Sequence, residues 1–294
     1  MQAGALPLTS RGLRLFHGGL SCAALAVVLV LLMPFLAVTG GAAIARILAA
    51  AVEALFLAAP ILMTLGTVLA AAAPPASGVR LPAILALVCA ALANLWPVAC
   101  LAADLPAPFL AGPLGRVEKL LPILQAVCFS ALVAALCRFV ASIERRDVEG
   151  QEPEDVVGVD ADDAVAWERL AGRSGRLMWW GLAFLAAVVV LDVAVPWLAR
   201  AGQSPRVVTI VALAGLLVCG GYGIWLLVRF ARLLREVVAA MKTAPGRPRA
   251  ADAAWRAVPP DRLPAGVLLL GAVAAGAIAA NVWAARALAP QWRA

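Results

Sequence analysis

The sequence holds one histidine, His17, and one tyrosine, Tyr222. Two lysines, Lys119 and Lys242, stand among 24 basic residues, and only 14% of the chain is charged. Each scarcity removes a class of chemistry. A single histidine cannot supply bis-histidine haem ligation, a histidine metal cluster or a histidine proton relay. No lysine falls inside an apolar segment, so an intramembrane Schiff base has no amine. Charge this sparse excludes a water-soluble globule, which carries about 25% charged residues. The six cysteines (Cys22, Cys89, Cys100, Cys128, Cys137, Cys219) all lie in apolar stretches and form no Cys-x-x-Cys. Hydrocarbon around a thiol keeps it protonated and inert. A Gly-rich phosphate loop, a Gly-x-Ser-x-Gly elbow and aspartate-rich phosphotransferase motifs are missing as well. The chain is therefore expected to be no enzyme, with no catalytic residue, cofactor or metal.

What the sequence does have is oil. Of its 294 residues 64% are apolar, and the mean hydropathy is +0.95. A bilayer core of about 30 Å takes roughly 20 apolar residues as a helix, because no backbone amide can go unpaired in lipid. Seven stretches qualify: residues 20–38, 54–73, 81–103, 120–141, 177–198, 207–228 and 263–285. Period-2 alternation, the mark of an outer-membrane barrel, is absent. The expected fold class is all-α, a polytopic transmembrane helical bundle forming one integral membrane domain.

Arginine sets the direction. With the N-terminus inside, 17 of the 24 basic residues fall on the cytoplasmic side, so the bundle is expected N-in and C-out, in a bacterial inner membrane. The net charge of +7 then reflects the positive-inside pattern, and no nucleic-acid partner is expected. Arg11 and Arg14 ahead of the first apolar run, with Thr39-Gly40-Gly41-Ala42 after it, also fit a cleaved leader. The length of the run favours a retained anchor.

Two cytoplasmic connections differ in charge. Residues 142–176 include seven acids and no base between Glu149 and Asp163, a composition that stays solvated. Asp160 is expected to cap a short helix, with Asp162 and Asp163 in its first turn and Trp167 and Leu170 turned toward the membrane. Residues 229–262 carry Arg229, Arg232 and Arg235 beside Phe230, Leu233, Leu234, Val237 and Val238, then a proline-rich tether around Trp255. This amphipathic extension suits anionic lipid headgroups across 229–242. The acidic 149–163 segment suits a protein partner, and the opposite charges suggest mutual attraction between the two connections. On the other face, 104–115 is broken by prolines, and 42–53 fits an external interfacial helix.

Polar residues within spans are few. Asp192 stands in an apolar run about 9 Å from a span end. It is either a cation-linked carboxylate or the partner of a nearby arginine such as Arg46, Arg200 or Arg206. Asn94, with Trp96 and Pro97, is expected to interrupt the third span, and Pro60 with Thr64 and Thr67 repeats that pattern. Gln125, Ser130, Tyr222 and Asn281 add further polarity. The candidate intramembrane polar site comprises Asp192, Asn94, Gln125, Thr64 and Tyr222. Gly215, Gly220, Gly221, Gly223, Gly271 and Gly276 would permit close helix approach. A faint similarity between residues 18–40 and 180–202 suggests a parallel duplication.

Three functions fit, in this order. The first is a non-catalytic accessory, scaffold or sensor-like membrane protein that presents charged loops. The second is a small-solute or ion transporter using Asp192 and the proline-bearing spans around Asn94 and Pro60. An intramembrane enzyme of unidentified chemistry is third.

Overall fold

A computed structural model describes residues 6–102, 113–149, 160–243 and 258–288. Among these the chain is helical without a strand: α1 (Pro7–Ala70), a 3-10 turn (Pro75–Ser77), α2 (Arg80–Ala102), α3 (Pro113–Glu149), α4 (Asp160–Arg200), α5 (Pro205–Thr243) and α6 (Ala265–Leu288). Six segments are long and apolar enough to cross a membrane: Pro7–Val30, Arg46–Ala70, Leu120–Arg145, Ala164–Arg200, Pro205–Met241 and Ala265–Ala284. A shorter apolar run, Arg80–Trp96, lies in α2. The protein is an all-α helical membrane bundle. Residues 104–112, most of the acidic stretch and the Trp255 tether fall outside the described residues, and 113–115 form the first turn of α3.

The helical run α1 is 64 residues long, which would extend about 96 Å if straight. It is instead folded on itself. A methyl group on Gly12 would stand 2.6 Å from the Gly66 carbonyl oxygen, and one on Gly66 2.7 Å from that of Gly12. One on Gly19 would meet the Ala59 carbonyl at 2.8 Å. These pairs run antiparallel and all centre near residue 40, where Gly40 and Gly41 adjoin. The first two spans are thus a hairpin whose backbones touch. No separate interfacial helix occupies 42–53, because the second limb is already a candidate span from Arg46.

Around this hairpin, α2 lies against α1, α3 and α6, and α1 also meets α5 and α6. In turn α3 packs on α4, and α4 on α5. Helix α2 continues through Asn94, Trp96 and Pro97, and α1 through Pro60. The Asn94 amide donates to the Ala90 carbonyl one turn back at 2.8 Å.

The main core sits at the end of the bundle that carries the long connections. Phe16 and Phe129 stack with ring centroids 3.3 Å apart, and Phe230 stands edge-on to both. Leu13, Leu87, Leu132, Leu136, Leu233, Leu234 and Val237 are fully buried in the same cluster. By contrast, no described side chain from Gly175 to Arg229 is buried. Leu217 is 73% exposed and Val218 71%. The hydrophobic effect explains the asymmetry. Lipid tails are as apolar as leucine, so helix faces in hydrocarbon gain nothing by burial against protein. Apolar faces that project into water must be buried.

Those projections are long. At 41 and 39 residues, α4 and α5 extend about 60 Å each, twice the hydrocarbon thickness. Two sequence expectations change here. The helix beginning at Asp160 is not a short separate element but the first turns of α4. Trp167 and Leu170 are 5% and 9% exposed within the protein core and do not face the membrane. Likewise Phe230, Leu233, Leu234 and Val237 of α5 pack into that core instead of onto lipid. The two connections do meet, although through their minority charges: Arg173 of the acidic one pairs with Glu236 of the basic one, its second N–H donating at 3.1 Å. Arg145 of α3 pairs with Glu168 of α4. Both pairs are exposed, so each contributes about 0–1 kcal/mol and orients more than it stabilises.

At the same end, Asp261 clasps the start of α1. Its Oδ2 accepts the backbone N–H groups of Leu8 and Thr9, both at 3.0 Å, and the Thr9 hydroxyl at 3.2 Å. Next to it, the Arg262 N–H donates to the Ala72 carbonyl at 3.0 Å. A helix start leaves four N–H groups without intrahelical partners, and a carboxylate from 252 residues away satisfies two of them. Burial pushes the Asp261 carboxyl above its ordinary value, and the hydrogen bonds from Thr9 and Leu8 pull only partly back. A raised value means the fold favours the neutral acid. This contribution is complete below the unfolded-state value and is lost as pH rises through the folded one. Asp261→Ala is expected to lower stability by about 1–2 kcal/mol. Asp261→Asn retains an accepting oxygen without the charge. It should match the native chain in acid and exceed it at neutral pH. Thermal unfolding in detergent at both pH values measures this, and an Asn variant as weak as the Ala variant at neutral pH would contradict it.

Candidate functional site

The five candidate polar residues are distributed over five helical segments. Thr64 is 1% exposed on the second limb of α1, and its hydroxyl has no hydrogen-bond partner among the described residues. Asn94 on α2 meets Asn281 of α6, whose amide donates to the Asn94 Oδ1 at 3.3 Å. Asn281 was seen in the sequence as a polar residue of its span, but nothing linear ties it to Asn94, 187 residues away. Such a bond between spans is worth on the order of 1 kcal/mol and fixes helix register. Gln125 is half-buried on α3. Asp192 is half-buried on α4 and is not a free carboxylate. Tyr222 on α5 donates weakly to the Trp180 carbonyl at 3.4 Å.

Tyr222 belongs to an aromatic cluster. Its ring stacks on Trp225 at 5.6 Å and approaches Phe184 at 5.8 Å and Trp180 at 6.2 Å. Trp180 meets Trp225 edge-on at 5.9 Å. The Arg229 guanidinium lies 5.4 Å from the Trp225 ring centroid, a cation–π contact. The spacing Tyr222, Trp225, Arg229 places all three on one stripe of α5, a signal legible in the sequence.

Beside this stripe lies a cavity of about 230 Å³ between α1, α3, α4 and α5. Leu20, Ala126, Leu177, Phe184, Leu227 and Phe230 form most of its wall, and Ser130 is its one hydroxyl. Ser130 donates to the Ala126 carbonyl at 3.0 Å, so its hydroxyl is already occupied. Ser174 of α4 donates to the Ser130 carbonyl at 2.7 Å and ties the two helices just beyond the cavity. None of Asp192, Asn94, Gln125, Thr64 or Tyr222 lines this space.

The glycines sort into two groups. Leu191 packs over Gly215, Phe184 lies 3.2 Å from where a Gly223 methyl would be, and Val68 packs over Gly271. Open space surrounds Gly220, Gly221 and Gly276. The approaches of backbone to backbone, at Gly12, Gly19 and Gly66, were not among those singled out by sequence. No group of three or more potential metal ligands occurs among the described residues, and the described cysteines Cys22, Cys89, Cys128, Cys137 and Cys219 are free.

No protein-family model matches the sequence, and no curated protein and no solved structure is similar to it.

Proposed function

We propose that this is a non-catalytic, seven-span protein of a bacterial inner membrane, oriented N-in and C-out, whose function is to present its cytoplasmic end to partners. One observation carries the reading. Both exposed ion pairs join α3, α4 and α5 beyond the apolar stretches 120–141, 177–198 and 207–228, and there Trp167, Leu170, Leu233, Leu234 and Val237 extend the buried core past the spans. A bundle that only needed to sit in lipid would have no use for a packed three-helix platform in water. The platform orders the two ends of the acidic connection, so 149–163 is held as a tethered bait for a basic partner surface. Arg229, Arg232 and Arg235 are exposed on α5 and suit anionic headgroups along 229–242.

Deleting 150–159 should leave the detergent-purified protein folded while removing a specific in-cell cross-link between the platform and its partner. An unchanged cross-linking pattern would end this reading. A transporter using Asp192 and Asn94 predicts a different outcome: Asp192→Asn abolishes flux through an otherwise folded protein, and the 150–159 deletion does not. A reporter fused after Trp292 should be inactive in the cytosol; cytosolic activity would reverse the orientation.

A further inference from the structure

We propose that the cavity beside the aromatic stripe holds one acyl chain of an anionic phospholipid, with Arg176 and Arg229 holding its headgroup. The proposal rests on the membrane reading of the chain and adds to it a specific, built lipid site.

The slot has the shape and chemistry of a chain. Along α3 it runs from Pro122 to Ser130, about 12 Å by helix rise, and its walls are carbon except for a hydroxyl already bonded. Water entering it would find no free polar partner, so an apolar occupant is favoured. The charge stands at one end of the slot. On α4 and α5, Arg173 pairs with Glu236, Phe184 lies against Gly223 and Leu191 against Gly215. Continuing that antiparallel register puts Arg176 level with Arg232, and Arg229 level with Leu177 to Trp180. Leu177 and Phe230, the adjoining residues in sequence, line the slot. Arg176, Arg229 and Arg232 are exposed and make no ion pair with another described residue. Glu236, the nearest acid in that register, is taken by Arg173. The Trp225 face fixes Arg229 without neutralising it. Two uncompensated cations, each next in sequence to a residue that lines the end of the slot, complement a phosphate esterified to a long chain, whereas a zwitterionic headgroup would set its own cation among them.

The test uses full-length protein in bilayers containing trace spin-labelled phosphatidylglycerol or phosphatidylcholine with identical chains. Electron spin resonance then reads the motionally restricted fraction of each. Cations near a surface contribute on the order of five-fold each, so phosphatidylglycerol should be held at least about ten-fold more strongly. Arg176→Gln with Arg229→Gln, both at exposed positions, should bring that ratio close to one. Ala126→Phe, which fills the slot, should release the restricted population of both lipids. If it misfolds, Leu177→Trp at a half-buried position repeats the measurement. Equal retention of the two lipids by the native chain would overturn the site. So would selectivity that survives loss of both arginines. Arginine-dependent selectivity with a restricted population untouched by filling would leave only a surface patch and would overturn the chain slot. Failure of the protein to enter bilayers at all would instead remove the membrane reading beneath it.

Discussion

Gly66→Leu is expected to abolish the folded protein, and Gly12→Ala to destabilise it by about 3 kcal/mol or more, the upper end of overpacking costs. The contacts at these positions are backbone against backbone. A Gly66 methyl would meet the Phe16 backbone nitrogen and stand 2.7 Å from the Gly12 carbonyl oxygen, and neither neighbour is a side chain that can rotate aside. To accept it the two limbs of α1 must separate along their length, which would also pull Phe16 from Phe129. The control is Gly18→Ala. No atom lies within 4 Å of its added methyl. That change should be neutral or should stabilise by up to about 1 kcal/mol through helix propensity. Thermal unfolding of the three variants in one detergent checks the contrast. If Gly12→Ala behaved like Gly18→Ala, the antiparallel hairpin would be wrong.

Phe129→Ala is the second large effect, expected at about 3–5 kcal/mol. Phe129 is fully buried, faces Phe16 at 3.3 Å and takes the edge of Phe230 at 6.0 Å. Its removal leaves a void where α1, α3 and α5 meet, and all three helices lose a shared contact. Leu217→Ala deletes a comparable side chain that is 73% exposed. Its cost should stay within about 0.5 kcal/mol, because a lipid tail replaces what the leucine touched. Equal costs for the two substitutions would mean that the outer half of α5 is covered by protein in the membrane.

These predictions mark where linear reading ends. Apolar run length made the helical segments visible, because hydrocarbon forces every backbone amide into a local bond and makes length the only requirement. The junction of Asp160 with the span that follows was harder to see. Arg169, Arg173 and Arg176 resemble an interface in sequence, yet a charged surface does not stop a helix. Trp167, Leu170, Leu233 and Val237 were recognisable as apolar. That they face one another and not lipid follows only from the pairing of α3, α4 and α5, since an apolar stripe has the same pattern whichever oil it meets. Of the candidate polar residues, Asn94 gained its partner Asn281 from 187 residues away, and Tyr222 gained an aromatic setting.

Composition and the length of the apolar runs were enough to establish a helical membrane protein, because the cost of exposing amides to lipid depends on local sequence alone. Which glycines touch, where the core lies, and what clasps the start of α1 were decided by the packed chain. A glycine in open space and a glycine under a carbonyl are identical letters. Asp261 meets Thr9 only because three helix ends converge at one end of the bundle.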